Sequence, residues 1–599
     1  MSEVKKLKIR EEVPEKYKWN VKKMYLDEKA WESDFIKAKE IAPKLLDYKG
    51  KLKDPNMLLG YLESYVKVSN LVEDLYVYAH LRSDENTANT KYQVLLDRIR
   101  AYLTEVNSIT SFFVPEILTL SEEDINKAIG ELEPLKLYEK YLKDILEQKP
   151  HILSEEGEKL LASAENSLSA PGNIFNMLTN ADMTFPVIQD ENNYSIELTE
   201  GNYSVFIRSK NRRVRQEAFN GLFGTYKKYK NTLATTYTSS HKSFIFKSKA
   251  RKYNSSLESS LKPNKIPLEV YHNVVNIINN NLKSLHRYVS LKKKLLKLDE
   301  IHMYDLYVPN IETPKFDIPY EEGVKICIEA LKPMGEEYLN IFKEGIKDRW
   351  IDVYENKGKR GGAYSSGSYD SMPYVLLNYN NQINDVSTLA HEMGHSIHSY
   401  YSKKNQPYIY ADYVLFCAEV ASITNECILM DYLIKKEEDK IKKLYLINEQ
   451  LESIRTTVFR QTMFAEFELI THEKIEAREA LSSDDLCSIY HDLNVKYFGK
   501  DIVVDSEIDM EWSRIPHFYR DFYVYQYVTG FAAANSFSQM IINGGAQEVE
   551  KFKGFLKAGS SDYPINILKN AGVDMTTPKP LEDTIKRFDM LLDMLEKEI

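Results

Sequence analysis

Between Pro407 and Pro516 the chain runs for more than a hundred residues with no proline and a single glycine, Gly499. Proline ends helices because it lacks an N–H donor and clashes with the preceding turn, and glycine weakens them because ordering it costs more entropy. A stretch without either reads as long helices joined by short connections. Within it, Phe416-Cys-Ala-Glu-Val-Ala-Ser-Ile-Thr-Asn-Glu426 sets Glu419 and Glu426 two helical turns apart, so both carboxylates share one face. Ala418, Ala421 and Ser422, beside Glu419, leave room for a second helix to approach closely.

Such a helix is offered just upstream by His391-Glu-Met-Gly-His-Ser-Ile-His398. Four helical residues span about 6 Å, so the rings of His391 and His395 can meet at one metal ion, with Glu392 one step round. This is the H-E-x-x-H spacing, in which two neutral imidazoles bind zinc and the glutamate takes the proton of the attacking water. Val386-Ser-Thr-Leu-Ala390 supplies an apolar approach to the helix, which Asp385 or Ser387 is placed to cap. A catalytic zinc needs a third protein ligand, and Glu419, 24 residues beyond His395, is the candidate. His398 stands about 10 Å along the axis from His391, too far to share a tetrahedral ion, and reads as a supporting or packing residue. Glu426 is placed to orient His391 or His395 through the other ring nitrogen. His472-Glu473 begins a second such pattern, but Glu476 stands where the second histidine would be, so it is not read as a site.

Ahead of the histidine helix, Gly361-Gly-Ala-Tyr-Ser-Ser-Gly367 and Pro373-Tyr-Val-Leu-Leu-Asn-Tyr379 read as two strands joined by a Ser/Asp turn. Gly361, Gly362 and Ala363 are expected to lie in an edge strand, where main-chain groups hold an extended peptide whatever its sequence. Beyond the long helical region, Pro516-His-Phe-Tyr-Arg-Asp-Phe-Tyr-Val-Tyr-Gln-Tyr527 repeats tyrosine at Tyr519, Tyr523 and Tyr527 and predicts a tyrosine-faced helix. A tyrosine hydroxyl or a histidine N–H near a zinc can stabilise the carbonyl oxyanion of amide hydrolysis.

Elsewhere the pattern is mainly helical, at 58–81, 122–147, from a Ser154 cap, and at about 205–255, 268–298 and 320–346. One β-hairpin is expected, from Thr184-Phe-Pro-Val-Ile188 through a polar turn to Tyr194-Ser-Ile-Glu-Leu198. A lobe boundary is placed near it, giving an N-terminal helical lobe over 1–200 and a catalytic metallopeptidase domain over 201–599. Net charge of −10 argues against nucleic acid as a partner, and the basic runs 208–215, 247–252 and 292–294 read as solvated helix faces. No run of about 18 apolar residues marks a membrane span, and the strongly charged stretch from Met1 to Lys22 contains no apolar h-region, so no secretory signal is expected there. Four scattered cysteines do not make a disulfide framework, so a cytoplasmic location is expected.

These motifs together resemble the oligoendopeptidase F family, within the thimet-oligopeptidase-like zinc metallopeptidases. The resemblance is carried by His391–His398, Ala418-Glu-Val-Ala-Ser422 with Asn425-Glu426, and His517-Phe-Tyr with Tyr523-Val-Tyr525. Gly559-Ser-Ser-Asp-Tyr-Pro564, Asn570-Ala-Gly-Val-Asp-Met575 and Val13-Pro-Glu-Lys-Tyr-Lys-Trp19 extend it over almost the whole chain. It implies a mainly α, two-lobed, zincin-like fold with a small β-sheet beside the active-site helix and a deep channel that admits unfolded peptides. It also implies one Zn2+ per chain on His391, His395 and Glu419, with Glu392 as general base and His517 to Tyr525 as substrate and oxyanion contacts. This chain has Phe518 and Phe522 where more distant relatives carry tyrosines, so the hydroxyl is expected from Tyr525 or Tyr519. The activity implied is endoproteolysis of oligopeptides. A zinc carboxypeptidase or dipeptidase on a related scaffold, and a non-catalytic zinc-containing peptide-binding protein, are the rival readings.

Overall fold

A computed structural model describes residues 6–311 and 314–598. The chain is mainly helical and forms two compact units, each gathered from three stretches. The first comprises Met1–Lys149, Phe316–Tyr432 and Phe537–Val573, and the second Pro150–Lys315, Leu433–Ser536 and Asp574–Ile599. Neither has an edge near residue 200, where the sequence analysis put a boundary. Membership of a unit follows contacts between segments distant in the chain, which local composition does not record. No helix among the described residues is long and apolar enough to cross a membrane.

The first unit carries the predicted histidine helix, Ile383–Asn405, and most of the helix bearing Glu419, Leu415–Lys436. Asp385 sits within the first turn of the histidine helix, and its carboxylate reaches back to accept from the N–H groups of Gln382 (2.8 Å) and Asn380 (2.9 Å), satisfying donors that a helix start leaves open. Beside this helix lies a three-stranded sheet in the order 351–352, 374–376, 364–366, the first pair parallel and the second antiparallel. The strand Tyr364–Ser366 lies at the sheet edge, and Ser365 Oγ is 2.8 Å from Ser396 Oγ of the histidine helix. An aromatic and aliphatic core from Trp19 to Ile145 packs against Tyr374 and Leu376 of the central strand.

A buried lysine secures this sheet. The Lys359 ammonium donates to the carbonyls of Asp352 (3.1 Å), Tyr354 (2.9 Å) and Leu377 (2.5 Å) and pairs with Asp352 Oδ1 at 2.8 Å. Arg10 reaches the same carboxylate at 2.6 Å and Glu85 at 2.9 Å. Buried charges persist only where partners of this kind replace water.

In the second unit the proline-free region becomes Lys440–Ile454, a π turn at Arg455–Phe459, Arg460–Glu476 and Ser483–Phe498. The expected hairpin pairs Val187–Gln189 with Ser195–Glu197, and the Asp190 carboxylate accepts from Asn192 and Tyr194 N–H groups across its turn. A two-residue parallel pairing of Ile301–His302 with Ile502–Val503 was not foreseen, since so short a pair leaves no alternation in the sequence. The stretch 122–147 is divided at Glu133–Tyr138, where Pro134 interrupts it, and 320–346 at Lys332–Met334, where Pro333 does.

The basic runs are not simple solvated faces. Arg215 and Arg212 both bind the buried Asp305 carboxylate, at 2.6 and 2.9 Å, Arg251 pairs with Glu158 at 2.9 Å, and Lys292 is buried with its ammonium on the Val308 carbonyl. These four cations each meet an acceptor inside their own unit.

Replacing Lys359 by methionine keeps the bulk and removes the charge, leaving Asp352 with one cation and taking the ammonium donor from three carbonyls, of which that of Asp352 still accepts from the Leu377 N–H. Loss of one partner of a buried pair costs about 3 kcal/mol, so Lys359→Met is expected to lower the thermal unfolding midpoint by several degrees, measured by calorimetry against Lys347→Met as an exposed control.

Candidate metal centre

Gly394 lies in the interior of the histidine helix, where glycine is otherwise unfavourable. A Cβ built there would lie 2.6 Å from Ser422 Cα and 3.0 Å from the Ala421 carbonyl oxygen, both backbone atoms of the Glu419 helix. The two backbones therefore touch at this point. Asn425 fastens the contact, donating through Nδ2 to the Ala390 carbonyl (2.9 Å) and accepting at Oδ1 from the Tyr338 hydroxyl (2.9 Å). The small residues of the Glu419 helix point to this approach in the sequence. Gly394 and Asn425 were missed as its supports, although a glycine between two candidate ligands is itself a signal.

Across the contact, His391, His395 and Glu419 come together. The Nε2 atoms of the two histidines are 3.1 Å apart, and each is 3.4 Å from Glu419 Oε2. A tetrahedral divalent ion with bonds of about 2.1 Å sets its ligands about 3.4 Å apart, so the spacing fits such an ion. The ring planes cross at 80°, and both present Nε2 inward. Glu426 lies 2.6 Å from Nδ1 of His391, fixing that ring through its outer nitrogen. These residues, two imidazoles and a carboxylate, form a group able to hold a metal.

Burial opposes charge on His391, but its hydrogen bonds to Glu419 and Glu426 outweigh this and raise its pKa to about 10. Hydrogen bonds from His391 and His395 hold the Glu419 carboxyl far below the usual range. Glu392 is 7% exposed, and burial raises its pKa against the pull of the two neighbouring imidazoles. His398 stands apart from the cluster. It is 1% exposed, stacked on Tyr413 at 3.7 Å and near Phe555, and burial lowers its pKa to about 3.

Gly361, Gly362 and Ala363 lead into the edge strand rather than forming part of it, which begins at Tyr364. Gly362 has φ of +85°, off the strand conformation, and its carbonyl accepts from Asn378 Nδ2 at 2.8 Å. No atom lies within 4 Å of a Cβ placed on Gly361 or Gly362, so the glycines face open space. A cleft of about 260 Å³ is lined by Gly362, Ala363, Asn378, Asp385 and Thr388, the last one turn before His391.

The segment after Pro516 is not one helix. Pro516–Tyr519 is a 3-10 turn, residues 520–524 are irregular, and a helix begins only at Tyr525. Phe522 has φ of +57°, a strained value for an aromatic residue, and its N–H donates to the buried Glu468 carboxylate at 2.6 Å. This tertiary bond overrides the tyrosine periodicity. Tyr525 is 2% exposed against Tyr271, and Tyr519 is bound to Thr236 Oγ1 at 2.9 Å and stacked on Phe175. Half-buried His517, Tyr523 and Tyr527 instead group together, with His517 Nε2 3.2 Å from the Tyr527 hydroxyl and Tyr523 stacked on the imidazole. Burial, then Arg520 and Arg460, lowers the pKa of His517.

Comparison with known proteins gives a consistent picture. The sequence model for peptidase family M3 matches residues 205–587, and that for Oligopeptidase F matches residues 116–185. The chain is 48% identical to oligopeptidase PepF of Bacillus subtilis, over 100% of this chain and 90% of that one. It is 40% identical to an oligoendopeptidase F homolog of Lactococcus lactis, over 98% of each. Among solved structures, a chain from Chlamydophila abortus is 34% identical with a TM-score of 0.94, covering 99% of this chain and 100% of that one. Oligoendopeptidase-F from Enterococcus faecium is 38% identical with a TM-score of 0.73, covering 95% and 99%.

Two outcomes are expected. In Gly394→Ala the added methyl meets backbone, so the helices must separate; we expect a loss of about 1–3 kcal/mol in stability together with a reduced metal content by elemental analysis. In the metal-free chain the raised His391 pKa means that its pairing contributes fully below the unfolded value of about 6.5 and is lost as pH rises through about 10. Metal must displace that proton, so apparent affinity is expected to rise by about tenfold per pH unit between pH 6 and 8, read by competition with a chromogenic chelator.

Proposed function

Because the chain belongs to peptidase family M3, with oligoendopeptidase F relatives along its whole length, we propose that it is a zinc-dependent endopeptidase of short unfolded peptides. The observation that carries this reading is the meeting of His391, His395 and Glu419 at tetrahedral spacing, with Glu392 adjoining the first of them. Two imidazoles and one carboxylate from a rigid pair of helices favour zinc over the harder cations, which prefer all-oxygen sites. When bound, zinc supplies a Lewis acid for the scissile carbonyl and lowers the pKa of the attacking water.

The remaining steps fall to the side chains. Glu392 accepts the proton of the attacking water and returns it to the leaving amine. Its burial, which favours the protonated form, suits a carboxylate that must hold that proton between the two events. Glu426 keeps the Nδ1 proton of His391 in place, so that Nε2 faces inward as a lone pair. The free edge of the strand Tyr364–Ser366, beside the histidine helix, offers main-chain groups to an extended peptide, and this mode of holding requires neither chain end. That favours internal cleavage over a carboxypeptidase or dipeptidase activity. A base beside two ligands has no use in a purely structural centre, which weighs against a non-catalytic peptide binder. Four cysteines, too few and too scattered for a disulfide framework, accord with a reducing cytoplasm, with peptides rather than nucleic acid or membrane as partners.

A quenched peptide blocked at both termini tests the activity. The wild type is expected to cleave it, whereas Glu392→Gln should lose about 100- to 10,000-fold in kcat while retaining its zinc. Cleavage only of peptides with a free end would establish an exopeptidase, and undiminished turnover in Glu392→Gln would remove the glutamate from the mechanism.

A further inference from the structure

A second group of ligand-type side chains lies in the other compact unit. His241 comes from the helix Lys230–Ala250, His472 from Arg460–Glu476 and Asp521 from the irregular stretch before Phe522. One donor atom of each lies within 4.8 Å of the other two. His472 Nε2 and Asp521 Oδ1 are 3.4 Å apart, the edge length a tetrahedral ion imposes. Both histidines are fully buried.

The hydrogen bonding of the group is incomplete. His472 Nδ1 is 3.2 Å from Ser256 Oγ, and Ser256 is held through its N–H by Glu476 at 2.6 Å. Glu476, the residue that spoils the second H-E-x-x-H pattern, thus orients His472 through Ser256. His472 Nε2, Asp521 Oδ1 and both ring nitrogens of His241 make no well-formed hydrogen bond with any described residue, apart from a weak contact of His241 with the Tyr237 carbonyl. Buried polar atoms without partners cost about 1–3 kcal/mol each, and one from each of the three residues can converge on something that accepts lone pairs. We infer that His241, His472 and Asp521 form a second, structural site for a zinc-like divalent cation.

The class of ion follows from the ligands, since two buried imidazoles and a carboxylate suit zinc or cobalt and not calcium or magnesium. The imidazoles are stacked at 3.9 Å with planes 21° apart, so loading requires one ring to turn. His241, held at its nitrogens only by the weak Tyr237 contact, is the ring able to do so. Glu468, on the same face four residues before His472, already holds the Phe522 N–H and has its other oxygen buried without a partner. A cation here would pin the strained Asp521-Phe522 backbone to two helices, and with it the segment from His517 to Tyr525. This inference does not depend on the proposed peptidase activity.

Zinc content is measured on the full chain after loading and desalting, in a background where His391→Ala and His395→Ala remove the first centre. We expect about one zinc per chain in that background and none when Asp521→Asn or His472→Gln is added. If neither added variant folds, the cobalt form of the folded background protein decides. Stoichiometric d–d absorption supports the site, and its absence overturns it. Absence of zinc from the background protein, or full retention with Asp521→Asn and His472→Gln, also overturns the site, the latter two leaving at most a buried polar cluster that shares a proton.

Discussion

The backbone contact between Gly394 and Ser422 is the constraint from which the meeting of His391, His395 and Glu419 follows. Helix axes ordinarily lie 8–10 Å apart because side chains separate them. Removing one Cβ at Gly394 brings Glu419 Oε2 to the same 3.4 Å from each imidazole. The same register carries Glu426, two turns on, to the far nitrogen of His391. One small residue thus sets both the ligand and the group that orients its neighbour, and Asn425 keeps the helices from sliding by bonding to a main-chain carbonyl.

The parts legible in the sequence were those governed by local periodicity. His391 and His395 are four residues apart in any helix, and Glu419 and Glu426 share a face in any helix, so the cluster could be read once both segments were seen to be helical. The strands on either side of the Ser/Asp turn were legible for the same reason, although Gly361 to Ala363 fell outside the edge strand because Gly362 departs from extended geometry. What could not be read depends on distant partners. Phe522 is turned into a left-handed conformation by Glu468, more than fifty positions earlier, and nothing near Tyr519 or Tyr523 records that. Arg215 and Lys292 resemble surface cations in the sequence and are buried only because Asp305 and the Val308 carbonyl meet them. The edges of the compact units are wholly of this kind.

The two histidine clusters differ in what lies behind them. His391 is backed by a carboxylate, which raises the basicity of the imidazole and fixes its tautomer. His472 is backed by a serine hydroxyl, a weaker partner that orients without adding charge. The first cluster is part-exposed and has a buried glutamate next in sequence, whereas the second is closed over by Phe522 and Tyr237. Charged backing with access suits chemistry, and neutral backing without access suits holding a backbone in place.

The interleaving of the two units bears on how the polypeptide matures as it leaves the ribosome. The histidine helix and the glutamate helix are synthesised by residue 436, yet the wall against which His398 packs includes Phe555 and is delivered more than a hundred residues later. Domains made of consecutive residues can close during translation, but here a nascent chain that already holds His391, His395 and Glu419 still lacks the ring that packs on His398 of the same helix. The unit that carries the first cluster therefore reaches its full packing only after residues up to Val573 have been made.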